Sequence, residues 1–135
     1  DRFRLFVNDR IGHGREALTL RDVFVINIVG VWLLMAAVIV AARTVDPGLG
    51  AIAVYLVLVN ALLHVGQGIA LRCYNPGMLT AIVVFLPLGL AAWQGLGPSA
   101  TPAMHALGLA VAIAVHAAIV VHVRRRLAAP APAPA

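Results

Sequence analysis

Long apolar runs, separated by short turns rich in proline, glycine and asparagine, organise this chain. Four of them are nearly free of charge: Val23 to Ala42, Gly50 to Leu71, Pro76 to about Gln94, and Pro102 to Val123. Each is long enough, or nearly so, to supply the roughly 20 helical residues that cross a hydrocarbon core of about 30 Å. The runs are continuous rather than alternating, and a backbone in lipid must satisfy its own hydrogen bonds, so helices are predicted and strands are not. The expected fold is therefore all-α, a polytopic membrane bundle with four transmembrane helices in this chain. Residues 1–21 form a cytoplasmic or interfacial segment, 22–123 the bundle, and 124–135 a basic stop with a disordered Ala/Pro tail of extended, polyproline-like character.

Helix-start chemistry supports these boundaries. Thr19 and Asp22 have the spacing of a capping box. Asn75-Pro76 and Thr101-Pro102 each place a capping side chain before a proline at the first helical position. Asp46-Pro47-Gly48 reads as a turn, and Pro87 is expected to kink the third span.

Composition then fixes the solvent. The chain is 62% hydrophobic and 11% charged, less than half the roughly 25% charge of a soluble domain. All ten basic residues are arginine, and nine of them fall at the chain ends or around Arg72, leaving Arg43 for the opposite face. That asymmetry predicts cytoplasmic ends, in particular a cytoplasmic C-terminus, in a bacterial inner membrane. Because the arginines border apolar runs, they read as topology signals, and no nucleic-acid partner is expected. Cys73 has no second cysteine to pair with. Phe3, Phe6 and Val7 share one side of a short helix, which is expected to lie on the bilayer surface against anionic lipid.

Polar groups inside the spans are the candidate chemistry. Asn60, His64 and Gln67 follow one another at intervals of four and three, so they share a helix face. His64 lies roughly 10 Å inside one end of its helix, His116 sits at matching depth in the fourth span, and Asn27 roughly 6 Å inside the first. Two readings stand: hydrogen-bonding glue between helices, or a reaction or transport site marked by an ionisable group at membrane depth. His105 reads as an outer anchor and His13 as a solvated loop residue. No carboxylate lies deep in a span, so this chain offers an incomplete site, too thin by itself for zinc.

The ordered set His64, Arg72, Tyr74-Asn75-Pro76-Gly77 and Thr80 resembles the bacterial membrane family named for its HXXEE motif. The upstream stretch "FRLFVNDRIG…LTLRDVFVINIVGVW" is also similar to that family, so the resemblance covers most of residues 3 to 95. HXXEE itself is missing from this sequence. The resemblance implies a fifth helix upstream in the intact protein, bringing a histidine and two acids on one face. It implies a membrane-embedded enzyme of unassigned reaction, with His64, Arg72, Tyr74 and Asn75 in the site. His64 is then the expected metal ligand, for zinc or iron if a metal is used, with Asn60 or Gln67 orienting it and Asn27 and His116 in the cavity. A lipid-like substrate would enter from the cytoplasmic leaflet, its polar head received by Arg72 and Tyr74. A small transporter or channel subunit, and a purely structural bundle, are the rival expectations.

Overall fold

Capping residues and prolines decide where each helix starts. The computed structural model describes residues 2–129, so the expected disorder of the tail lies largely outside the described residues. A short helix α1 (Arg2–Phe6) widens into a π turn over Val7–Ile11. Four helices long and apolar enough to cross a membrane follow: α2 (Leu20–Thr44), α3 (Pro47–Ala70), α4 (Met78–Ser99) and α5 (Pro102–Ala128). No strand occurs among the described residues.

Two of the expected caps form as read. The Thr19 hydroxyl accepts from the Asp22 N–H at 3.1 Å while the Asp22 carboxylate accepts from the Thr19 N–H at 2.8 Å, a reciprocal box. Thr101 accepts from the Met104 N–H at 3.3 Å, and Asp46 from the Gly48 N–H at 2.8 Å.

The third start differs from expectation. Helix α4 begins at Met78, with Gly77 as its N-cap and no capping side chain. Asn75 instead opens a four-residue turn: its carbonyl accepts from the Met78 N–H at 2.9 Å. Pro76 follows, and Gly77 takes φ +103°. Proline then glycine at the two central positions is the requirement of a type II turn. The Asn75 side chain is thereby freed to point into the protein.

Pro87 acts through a widened turn. Residues Ala81–Phe85 are π-helical, and the Leu86 N–H reaches back to the Ala81 carbonyl. The ring at position 87 removes the donor that would have reached Val83, and the longer-range bonds re-route the ladder around that gap. Helix α5 runs past its expected end at Val123, through all three arginines, to Ala128. Its last carbonyls are held from outside: the Arg15 guanidinium donates to Leu127 at 2.6 Å and Ala129 at 2.7 Å. A cation there also complements the negative end of the helix dipole.

Small residues bring the helices together. Ala51, Ala61 and Ala112 are completely buried. A Cβ on Gly108 of α5 would sit 2.8 Å from the Ala51 carbonyl of α3, and one on Gly89 of α4 would sit 2.6 Å from Leu58 of α3. Helix α3 is thus the centre of the bundle, and its neighbours approach nearly backbone to backbone, as is common for helices in lipid. The large apolar side chains face outward: Phe24, Trp32, Val83 and Leu88 are all more than 60% exposed. So much exposed apolar surface suits hydrocarbon rather than water, and the chain is an integral membrane protein.

Helix α1 corrects one expectation. Phe6 and Val7 do not face lipid; they are buried against Ala17, Leu18 and Val123, with Phe3, Cys73 and Leu127 packed around them. The neighbouring bundle end offers enough apolar surface to win this contest, and Asn8 fixes the arrangement. Its amide donates to the Leu18 carbonyl at 2.9 Å and its Oδ1 accepts from the Leu18 N–H at 2.8 Å. The segment before α2 is therefore folded over the end of the bundle that carries the Arg72 turn.

Candidate functional site

The turn after α3 explains how one asparagine comes to organise this region. Helix α3 ends in a Schellman arrangement: the Cys73 N–H bonds to the Gly68 carbonyl at 3.1 Å and the Arg72 N–H to Ile69 at 3.2 Å. The position that normally takes glycine in this motif is Arg72, whose φ is +50°. The chain then doubles back through the type II turn, and Asn75 lands beside the last turns of α3 with no exposed surface at all.

Every polar atom of that side chain is used. Nδ2 donates to Gln67 Oε1 at 2.8 Å and to the His64 carbonyl at 3.3 Å, while Oδ1 lies 3.2 Å from His64 Nδ1. A backbone carbonyl only accepts, so the Asn75 atom facing it must be the NH2 group. That fixes the amide orientation, and Oδ1 then faces the imidazole. His64 must therefore carry its proton on Nδ1 and donate it, which leaves a lone pair on Nε2. Among the described residues no protein group bonds to Nε2. The imidazole is held like a base with its active nitrogen open.

Two further groups wall the ring. The backbone of Gly77 lies against it, so close that an added Cβ would sit 2.8 Å from Cε1. From the other end of the chain Phe3 covers it, ring centroids 5.2 Å apart and tilted by 59°. A Gly68 Cβ would meet Met78 Sδ at 2.5 Å and Cys73 O at 3.4 Å, which is how the turn packs so tightly on α3; Gly66 has open space around it.

The predicted residues divide accordingly. His64, Gln67 and Asn75 form one hydrogen-bonded cluster. Arg72 and Tyr74 sit exposed at its mouth, Tyr74 at 59%. His116 bonds through Nδ1 to the Ala112 carbonyl of its own helix at 2.7 Å, which leaves its Nε2 open as well. Asn60 is half-buried on the same helix face but makes no side-chain hydrogen bond among the described residues, so Gln67, acting through Asn75, is the amide that supports His64. Asn27 is not brought to this pocket: it is exposed on α2 and donates to its own Val23 carbonyl at 2.8 Å.

Two arrangements lay beyond sequence reasoning. Phe3 over His64 requires the N-terminal segment to fold back across the bundle, for which spacing gives no cue. His105 is more than an anchor: its Nδ1 lies 3.3 Å from the Tyr55 hydroxyl, with the Trp93 ring centroid 6.1 Å away, tying α3, α4 and α5 together at the far end. His13, in contrast, is exposed in its loop with φ +50°, as a solvated residue should be.

This molecule belongs, then, to the class of polytopic helical membrane proteins that hold an oriented histidine near one end of the bundle. Over residues 7–92 it matches the model of a family described as "Protein of unknown function with HXXEE motif", and the chain belongs to that family. No curated protein and no solved structure matches it.

Proposed function

We propose that this protein is a membrane-embedded enzyme in which His64 performs acid–base chemistry on an amphiphilic, lipid-like substrate. The observation that carries the reading is the fully buried Asn75, whose amide fixes the imidazole as its Nδ1–H tautomer and leaves Nε2 available. Through Nε2 the ring takes a proton from a substrate hydroxyl or a water, and the Nδ1–H bond to Asn75 steadies the resulting imidazolium. The oxygen so freed bonds to the carbonyl or phosphoryl centre of a lipid ester, the bond to the leaving group breaks, and the imidazolium returns its proton to that group.

Access is assigned to the arginine-rich face. By the positive-inside bias that face is cytoplasmic, in a bacterial inner membrane, with both described chain ends on it. Arg72 and Tyr74 at the mouth receive the polar or anionic head of the substrate, and the lipid-facing sides of α3 and α4 accommodate its chain. The close Gly108–Ala51 and Gly89–Leu58 approaches pack α5 and α4 tightly on α3, which favours an enzyme over a channel.

Zinc or iron does not follow from the residues present. Among the described residues no three His, Cys, Asp or Glu side chains group together. His64 and His116 supply two nitrogen donors, one fewer than a catalytic zinc takes from protein.

Purified protein in vesicles made from bacterial lipid extract tests the reading, with the lipids compared by mass spectrometry before and after incubation. A product formed by the parent, absent with His64→Gln and slowed by Asn75→Ala, supports the enzyme. Identical lipid profiles for parent and His64→Gln, together with proton or solute flux that needs His64, would transfer the site to transport. No change in either assay would leave the cluster as helix-packing structure.

A further inference from the structure

Asn27 is the sequence candidate that the His64 pocket leaves unused, and its surroundings are distinctive. Together with Leu20, Arg21, Val23, Phe24 and Ile28 it lines a shallow, open depression on the outward side of α2. The walls are apolar apart from two groups. Arg21 lies at the arginine-rich face, exposed and without an ion pair among the described residues. Its neighbour Asp22 is already matched, by His122 Nε2 at 3.2 Å and Arg126 Nη2 at 3.4 Å, so Arg21 is a surplus cation. It also stands in the first turn of α2, where a positive charge opposes the helix dipole and gains nothing locally.

The second polar group is Asn27, about 9 Å further along the helix. Its Nδ2 gives one hydrogen to the Val23 carbonyl. The other amide hydrogen and Oδ1 face a groove bordered by hydrocarbon, where an unmatched amide is costly. Cation at the interface, amide below it, and apolar side chains alongside follow the order of groups in a glycerophospholipid: phosphate, ester carbonyl, acyl chain.

We infer that this groove binds an anionic glycerophospholipid, with Arg21 on the phosphate, the glycerol beside Phe24, the free Asn27 amide hydrogen on an ester carbonyl, and an acyl chain running past Ile28 toward Trp32. A lipid with a net negative head is favoured over a zwitterionic one because the latter carries its own cation in competition with Arg21. This site lies on α2, away from His64, and does not depend on what His64 does.

Trp32 provides the reporter. It is 70% exposed on the same helix, one turn beyond Ile28, and the chain has only one other tryptophan, Trp93. The full chain carrying Trp93→Phe is reconstituted in phosphatidylcholine vesicles containing a minor fraction of chain-brominated phosphatidylglycerol or chain-brominated phosphatidylcholine. Bromine quenches the indole when the labelled chain lies beside it. The brominated anionic lipid should show about a fivefold higher apparent affinity, the increment expected of one basic residue at an anionic surface. Arg21→Gln should bring the two lipids level, whereas Arg10→Gln, on the N-terminal segment, should leave the preference intact. Equal quenching by both lipids in the parent, or a preference that survives Arg21→Gln, overturns the site. Trp32 fluorescence insensitive to either lipid would mean that protein covers this face, and overturns it too.

Discussion

Replacing Arg72 by glycine should make this protein more stable and less functional. The residue occupies the left-handed position of the Schellman motif that ends α3, at φ +50°. An L-residue there places Cβ against the following carbonyl, at about 1–2 kcal/mol. Glycine removes that cost but makes the unfolded chain more flexible, which returns about 0.4–1 kcal/mol. The net expectation for Arg72→Gly is a gain of about 0.5–1 kcal/mol, or roughly 2–5 °C in melting temperature for a chain of this size. Thermal unfolding in detergent, followed by circular dichroism, measures it directly. Arg72→Asn, which tolerates the same backbone, should fall between parent and glycine. The functional half is that Arg72→Gly loses turnover of lipid substrate while Arg72→Lys, which keeps the charge, retains part of it. A melting temperature that stays level or falls in Arg72→Gly would show that the backbone holds no strain there. A gain with turnover untouched would show that the strain is not tolerated for the sake of the guanidinium, and Arg72 would leave the proposed site.

Three further perturbations test other parts of the structure. Gly77→Ala combines φ +103° with a Cβ 2.8 Å from the His64 ring, so it should cost about 2–4 kcal/mol and shift the His64 ring signals in an NMR spectrum. An unshifted spectrum would contradict the placement of that turn. Gly108→Val forces α5 away from the Ala51 carbonyl and should cost about 1–3 kcal/mol, read from the same detergent melts. Arg15→Gln removes two hydrogen bonds from the end of α5; hydrogen exchange over residues 124–129 should quicken by about fivefold, from roughly 1 kcal/mol of lost protection.

The spans were legible because the bilayer allows so few solutions: a long apolar run flanked by Thr19 or Thr101 has little alternative to a helix starting there. The third start departs from expectation because Asn-Pro fits two local structures equally well, a capped helix and a type II turn. Only the opportunity for Asn75 to bond His64 and Gln67, both on another helix, decides between them. Asn60 is grouped with His64 by helix spacing, and Asn27 by depth alone, which says nothing about azimuth. Asn60 does share the face of α3, yet the turn's amide reaches His64 instead; Asn27 looks outward from α2. Phe3, Phe6 and Val7 were correctly seen as one apolar side, but an apolar side has no preference between lipid and protein until the geometry of the neighbouring end is known.

The clasp between Arg15 and the last carbonyls of α5 joins the two termini mechanically. Strain applied to the end of α5 is therefore passed to Arg15, and through it to the segment that carries Phe3 over the histidine.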